Sequence, residues 1–265
     1  MSPNRNPTVM KFRQGAEGSV TYPPHPLLRV NVIRGVIVIR LSESVDEDRV
    51  RGRLVLLRRR CLVVNVLLYR ILWRLGFTPW ERMQPWAEQV SAMFDREEQG
   101  RQPPYGAALD LGCGTGIWSV DLAEREWDVT GVEIVPKALR SARERAQKAG
   151  VEVRFLEGSV AALRDAGVGS SFRLVLDFGT VHGLAPTEVK AVAREVNAVT
   201  TDDATLLMYA FSPGRKGPTP RGLSREEVEA AYTGWSVVDE QPFDVSGMPA
   251  IFKKANPHWY RLRRD

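Results

Sequence analysis

In ALDLGCGTGIWSVDLA, residues 108–123, an apolar run ends in three glycines spaced two apart, Gly112, Gly114 and Gly116. Glycine lets a backbone turn with positive φ and approach a ligand with no Cβ in the way. A helix beginning just after such a loop offers N–H groups without intrahelical partners to an anion. The dinucleotide fingerprint needs a glycine at 117, where Ile117 stands, and no Gly-Lys-Ser/Thr follows to make a phosphate loop. Glu133 closes the next apolar run, DVTGVEI, 17 residues after Gly116. A carboxylate there accepts from both hydroxyls of a ribose, and each charge-assisted bond contributes roughly 1.5–3 kcal/mol. Loop and acid together describe a site for a nucleoside that carries a carboxylate rather than a pyrophosphate. Two further groups lie in and just after the run LVLDF, namely Asp177 and His182. A histidine of ordinary pKa, about 6.5, can serve as general base toward a phenol, an amine or a thiol.

These groups need strands to carry them. From residue 105 the pattern alternates: AALDLG reads as a strand, GIWSVDLAERE as a helix, DVTGVEI as a strand, PKALRSARERAQKAG as a helix closed by Gly150, and VEVRFLEGS as a strand. A short helix, the strand FRLVLDFG, the helix PTEVKAVAREVNAVT and the strand TLLMYAF continue the series. Ser224 with Glu227 three residues later is a capping-box spacing for a last helix, and WSVVDEQPFDV and HWYRLRR supply two final strands. Strands alternating with helices imply a doubly wound parallel sheet whose ligands sit beyond the carboxyl ends of the strands. Two strands in succession at the end require at least one to run antiparallel, at the sheet edge.

ALDLGCGTG, the acid in VTGVEI, the tail FLEGS and the strand LVLDFG make residues 105–185 resemble the class I S-adenosylmethionine-dependent methyltransferases. The resemblance implies a Rossmann-like α/β fold, a seven-stranded sheet whose last strand is antiparallel, and S-adenosyl-L-methionine as cofactor. It places Asp110, Gly112, Gly114 and Gly116 around the methionine part, Glu133 on the ribose, Ser159 with Val160 near the adenine, and Asp177 near the sulfonium. Ser159 stands where the family usually has an acid, and a hydroxyl accepts more weakly there. YRILWRLGFTPWE together with LDFGTVHGL is similar to the thiopurine and tellurite-resistance type of small-molecule methyltransferases, in which an N-terminal helix and a Pro-Trp turn close over the cofactor. That likeness puts Trp80 on the cofactor. Trp73, Trp86 and Trp118 are further candidates for an aromatic wall. The implied activity is methyl transfer to a small-molecule acceptor such as a thiol, a phenol or quinol, or a heterocyclic amine. A protein or nucleic-acid methyltransferase and a non-catalytic cofactor-binding protein are the competing readings.

Composition narrows these. A chain of 265 residues, 43% hydrophobic and 26% charged, fits a globular protein with one sizeable core. The net charge of +5 is uneven, with 12 Lys+Arg against 5 Asp+Glu in residues 1–60 and 25 against 27 in the rest. The catalytic part therefore offers no basic surplus to nucleic acid. No Asn/Asp-Pro-Pro-Tyr/Phe motif of base-methylating enzymes follows the fourth strand, which also disfavours that partner. Two cysteines and three scattered histidines assemble neither a disulfide framework nor a metal cluster and suit a reducing cytoplasm. Residues 1–60 read as a poorly ordered basic extension, in which VNVIRGVIVIRL forms a short strand or half of a hairpin. Residues 61–265 read as the methyltransferase domain, with lid helices over 61–100 and the core over 105–265. The run 54–77 is too interrupted by arginine to span a membrane. Its stripe of Leu62, Val66, Tyr69 and Trp73 packs on its own domain or touches a membrane surface, and the protein is expected as a monomer or homodimer.

Overall fold

A computed structural model of the chain describes residues 28–33, 36–41, 86–214, 220–246 and 250–265, with the backbone alone at 28–33, 36–41 and 250–252. The chain divides into two units, Met1–Cys61 and Leu62–Asp265. In the first, β1 (Leu28–Ile33) and β2 (Val36–Leu41) pair antiparallel from Leu28↔Leu41 to Ile33↔Val36, so a whole hairpin stands where the sequence suggests a strand or half of one. Trp73, Trp80 and the stripe from Leu62 to Trp73 lie outside the described residues.

The second unit is built on seven strands. They are β3 (Gly106–Leu111), β4 (Trp127–Glu133), β5 (Arg154–Glu157), β6 (Phe172–Phe178), β7 (Thr200–Phe211), β8 (Trp235–Pro242) and β9 (Pro257–Arg264), in the spatial order β5-β4-β3-β6-β7-β9-β8. All run parallel except β9, which is antiparallel to β7 on one side and β8 on the other. The seven-stranded sheet with its antiparallel last strand is thus as expected. The place of that strand differs from expectation: it is inserted one position inside the edge, and β8 occupies the edge itself. A short helix, Ala250–Ala255, separates the two final strands. It lets the chain return between β7 and β8 rather than turn back along the edge.

Helices cover both faces. α1 (Ala87–Glu98), α2 (Ile117–Glu124) and α3 (Pro136–Ala149) lie on one, while α4 (Pro186–Val199) and α5 (Arg225–Ala231) lie on the other. α3 and α4 begin with proline, whose missing N–H costs nothing in a first turn, and Gly150 ends α3 at φ 74°. The capping box forms as its spacing requires, with Ser224 Oγ accepting from Glu227 N at 3.2 Å and Glu227 Oε2 accepting from Ser224 N at 3.0 Å. Leu174, Leu176, Leu207 and Tyr209 bury one sheet face under α1 and α2, and Val175, Leu206 and Met208 bury the other under α4 and α5. No described helix is long and apolar enough to cross a membrane.

Candidate functional site

Strand order reverses between β3 and β6, so the loops leaving these two strands flank the crevice where such sheets hold ligands. The loop after β3 takes φ of 68°, 54° and 74° at Gly112, Gly114 and Gly116, a conformation other residues rarely adopt. Its width is set by close neighbours. A Cβ at Gly112 would collide with the Thr180 side chain of the loop after β6, and one at Gly116 would lie 2.9 Å from Phe155 and 3.0 Å from the Ala142 methyl. The Gly112 contact makes the two loops one surface.

Glu133, buried at the tip of β4, fixes the loop electrostatically. Its Oε2 accepts from Gly114 N at 3.1 Å, and its Oε1 accepts from Ile134 N at 2.8 Å and Val135 N at 2.9 Å. The acid expected on the ribose therefore also orients the loop and the entry to α3. Gly158 N donates to Glu133 O at 3.1 Å, bringing the tip of β5 alongside, and half-buried Ser159 and Val160 follow it. Ser159 Oγ accepts from Ala161 N at 3.2 Å and so caps the 3-10 turn Val160–Ala162.

Asp110 lies beneath the loop rather than in it. Its Oδ2 accepts from Ser119 Oγ at 2.6 Å, and the Ser119 N–H also donates to the carboxylate, which thus caps the start of α2. Burial, opposed by the Ser119 bond and reinforced by nearby Glu133, raises its pKa to about 7. Asp177 is fully buried at the end of β6. Its Oδ1 accepts from Thr180 N at 2.8 Å and Val181 N at 3.2 Å, which holds the 3-10 turn Val181–Gly183, and burial again raises the pKa to about 7. The group expected near the sulfonium is engaged with its own turn.

His182 is 2% exposed, and its Nδ1 accepts from Phe211 N at 2.9 Å. That bond places the ring proton on Nε2. Burial, and Arg221 nearby, push its pKa down to about 3. The ring is neutral, but its one acceptor nitrogen is taken up by Phe211 N and its basicity is low, so it has no free lone pair with which to act as the expected general base. Cys113 is buried in the loop as a small filler, with its Sγ 2.9 Å from where a Cβ of Gly131 would stand.

Phe178, Tyr209, Trp259, Trp86 and Phe243 form an aromatic cluster beside the two loops, and half-buried Trp118, in the first turn of α2, meets Phe178 with ring centroids 5.1 Å apart. Of the tryptophans expected in an aromatic wall, Trp86 and Trp118 are here. Thr180, Ser119 and Tyr209 carry no local signal in the sequence, because each acts across a strand register or a loop contact that neighbouring residues do not encode. The insertion at 212–222 is described only at its ends, where Gly222 N donates to His182 O at 3.2 Å and Leu223 N to Phe211 O at 2.9 Å.

With this geometry in view, residues 108–203 match a family model described as a methyltransferase domain. A ubiquinone biosynthesis O-methyltransferase of Caulobacter vibrioides is 30% identical over 181 residues, 61% of this chain and 71% of that protein. One of Cereibacter sphaeroides is 31% identical over 127 residues, 45% of this chain and 51% of that protein, so the chain spans about half the length of curated relatives matched in this way. Among solved structures, a 1,6-didemethyltoxoflavin N1-methyltransferase of Burkholderia thailandensis, with 1,6-didemethyltoxoflavin and S-adenosylhomocysteine bound, has a TM-score of 0.58 at 17% identity. It covers 92% of this chain and 98% of that one, a likeness of fold.

Proposed function

The chain belongs to the S-adenosylmethionine-dependent methyltransferases, and from that premise we propose that it transfers the methyl group of S-adenosylmethionine to a small organic acceptor, a phenol or quinol, a thiol or a heterocyclic amine. The observation that carries this reading is the tie from Gly114 N to Glu133 Oε2 across the tips of β3 and β4. It sets a loop that a carboxylate can approach beside an acid that a ribose can approach, at the crevice between the two halves of the sheet. When bound, the cofactor would supply a sulfonium-activated methyl: the acceptor's lone pair would form the new bond to carbon, the old S–C pair would stay on sulfur, and any proton on the acceptor atom would pass to water.

The residues suit that ligand. Glycine at 112, 114 and 116 admits the methionine part, Glu133 meets the ribose, and Ser159 with Val160 lies at the tip of β5 where the adenine belongs. The residues do not need to supply a strong base. His182 keeps its proton on Nε2 and Asp177 caps a turn, so in this reading both shape the loop over the crevice. Positioning and exclusion of water then carry the acceleration, which is adequate for an in-line displacement with a neutral leaving group. A likeness to the thiopurine and tellurite-resistance type rests, among the described residues, on Leu176–Leu184 alone. The names of the curated relatives favour an oxygen acceptor instead.

Calorimetric titration with S-adenosylmethionine tests the site. Glu133→Gln keeps the side-chain shape and removes the charge, and it should weaken binding at least tenfold, about 1.4 kcal/mol or more. Wild-type affinity in a folded Glu133→Gln variant would overturn the assignment. Release of S-adenosylhomocysteine across phenol, thiol and amine panels then reads the acceptor atom.

A further inference from the structure

Six buried side-chain hydrogen-bonding atoms among the described residues have no partner. Three of them, Nε1 of Trp86, the Tyr209 hydroxyl and Nε1 of Trp259, belong to the one aromatic cluster beside the site. Of the others, Tyr232 and Trp235 belong to the core of the opposite sheet face, and Thr205 sits lower on β7. An unmet buried donor costs roughly 1–3 kcal/mol, so three in one cluster beside the crevice make a place where an added acceptor atom would be stabilising.

The cluster is built in register. Phe178 pairs with Tyr209 across β6 and β7, and Tyr209 pairs with Trp259 across β7 and β9, so three adjacent strands present aromatic side chains at one level of the carboxyl half of the sheet. Phe178 and Tyr209 stack with centroids 4.8 Å apart and planes 17° apart. Trp86, at the start of α1, and Phe243, after β8, close over Tyr209 at 6.2 Å and 4.9 Å. Only Phe178 and its neighbour Trp118 are half-buried, so the cluster's open side is the one next to the glycine loop. The row itself carries no ionised side chain, and burial pushes the Tyr209 hydroxyl well above its usual range, which keeps it a donor.

We propose that this row is the acceptor subsite for the methyl transfer proposed above, on which the inference rests. It takes a neutral, planar aromatic acceptor that lies along Phe178 and presents an oxygen or an unprotonated ring nitrogen to the Tyr209 hydroxyl. A flat ring gains stacking that a puckered one does not. Indole N–H groups donate only, so the ligand must bring the acceptor atoms. A charged ligand would be desolvated there without a counter-charge.

Calorimetry on the protein saturated with S-adenosylhomocysteine tests this with 1-naphthol and its puckered counterpart decahydro-1-naphthol. One equivalent of 1-naphthol should bind, with the puckered alcohol at least tenfold weaker. Tyr209→Phe, which deletes one oxygen, should weaken 1-naphthol roughly tenfold and leave S-adenosylhomocysteine unchanged. Trp86→Phe should show the same split. Equal affinity for the two alcohols, or wild-type 1-naphthol affinity in folded Tyr209→Phe, overturns the subsite. If S-adenosylhomocysteine binds and 1-naphthol does not, this inference alone fails. If neither binds, the methyltransferase reading fails with it.

Discussion

The two edges of the sheet handle polar groups in opposite ways. At the edge where the parallel strands begin, charges meet charges. Arg125, just before β4, binds Asp95 at 2.7 Å, Glu98 at 2.9 Å and Asp121 at 3.2 Å, also reaches Ser91 Oγ, and lies 5.6 Å over the Phe94 ring. Glu98 also accepts from Trp127 Nε1 at 3.0 Å, and Arg173 pairs with Asp203 at 2.8 Å. At the edge where those strands end, Asp110 and Asp177 are buried without an ion-pair partner, His182 is neutral, and three aromatic polar atoms lack a hydrogen-bond partner, all among the described residues. The first arrangement holds α1 and α2 to the sheet. The second leaves buried acids that are hydrogen-bonded but without charge partners among the described residues, and three unmet aromatic polar atoms, where the ligands are proposed to bind, the usual place for such strain.

Titration should expose the contrast most strongly. Burial raises Asp110 and Asp177 from 3.8 to about 7, and lowers His182 from 6.5 to about 3. A raised carboxyl contributes stability that is complete below its unfolded value and lost as pH climbs through 7. A lowered histidine contributes stability that is lost as pH falls from 6.5 toward 3. Between pH 4 and 6.5 two acids oppose one histidine, so stability should decline with rising pH by about 1.4 kcal/mol per unit, and more steeply just below 7. Glu195, Asp203 and Asp239 are held below their usual values mainly by hydrogen bonds, to Arg164, Thr201 and Arg96 in that order, and act only in more acid solution. Urea unfolding of Asp177→Asn from pH 5 to 8 should show a flatter profile than wild type. Identical slopes would mean that the carboxyl edge is no different from the other.

The edge where the parallel strands begin makes the complementary prediction. Arg125→Ala removes three carboxylate contacts, a hydroxyl contact and the stacking on Phe94, and should cost about 2–3 kcal/mol of stability by chemical denaturation. S-adenosylmethionine affinity of the folded variant should stay at the wild-type value. A loss of cofactor affinity at unchanged stability would show that the two edges are not separable.

What the sequence makes legible follows from the same division. Period and punctuation locate the strands and helices from residue 105 onward, since Gly150, Pro136, Pro186 and the Ser224–Glu227 box each act within one turn. The loop and Glu133 are legible because both lie at the ends of predictable strands. The insertion of β9 inside the edge is not, because the pairing Tyr209↔Trp259 spans 50 residues with nothing local to announce it. Asp177 and His182 show the other limit. Their residue types suggest chemistry, whereas their states come from turn N–H groups at Thr180 and Val181 and from Phe211 N, which become neighbours only in the folded chain. Trp80 lies outside the described residues.

Two tyrosines on paired strands supply the smallest and most discriminating test. Tyr209 on β7 and Tyr260 on β9 are both 3% exposed. Tyr260 Oη donates to Leu223 O at 3.4 Å, whereas the Tyr209 hydroxyl has no partner among the described residues. Replacing a partnered hydroxyl leaves its carbonyl unmet, while replacing an orphan removes a desolvated group and nothing else. Tyr260→Phe should therefore lower stability by about 0.5–1 kcal/mol, and Tyr209→Phe should leave it unchanged or raise it by up to about 1 kcal/mol. Because both variants delete one oxygen from equally buried rings, packing and hydrophobic transfer cancel in the comparison. A larger loss from Tyr209→Phe than from Tyr260→Phe would show that its hydroxyl is already satisfied inside the protein, and the contrast between the two edges would lose its clearest member.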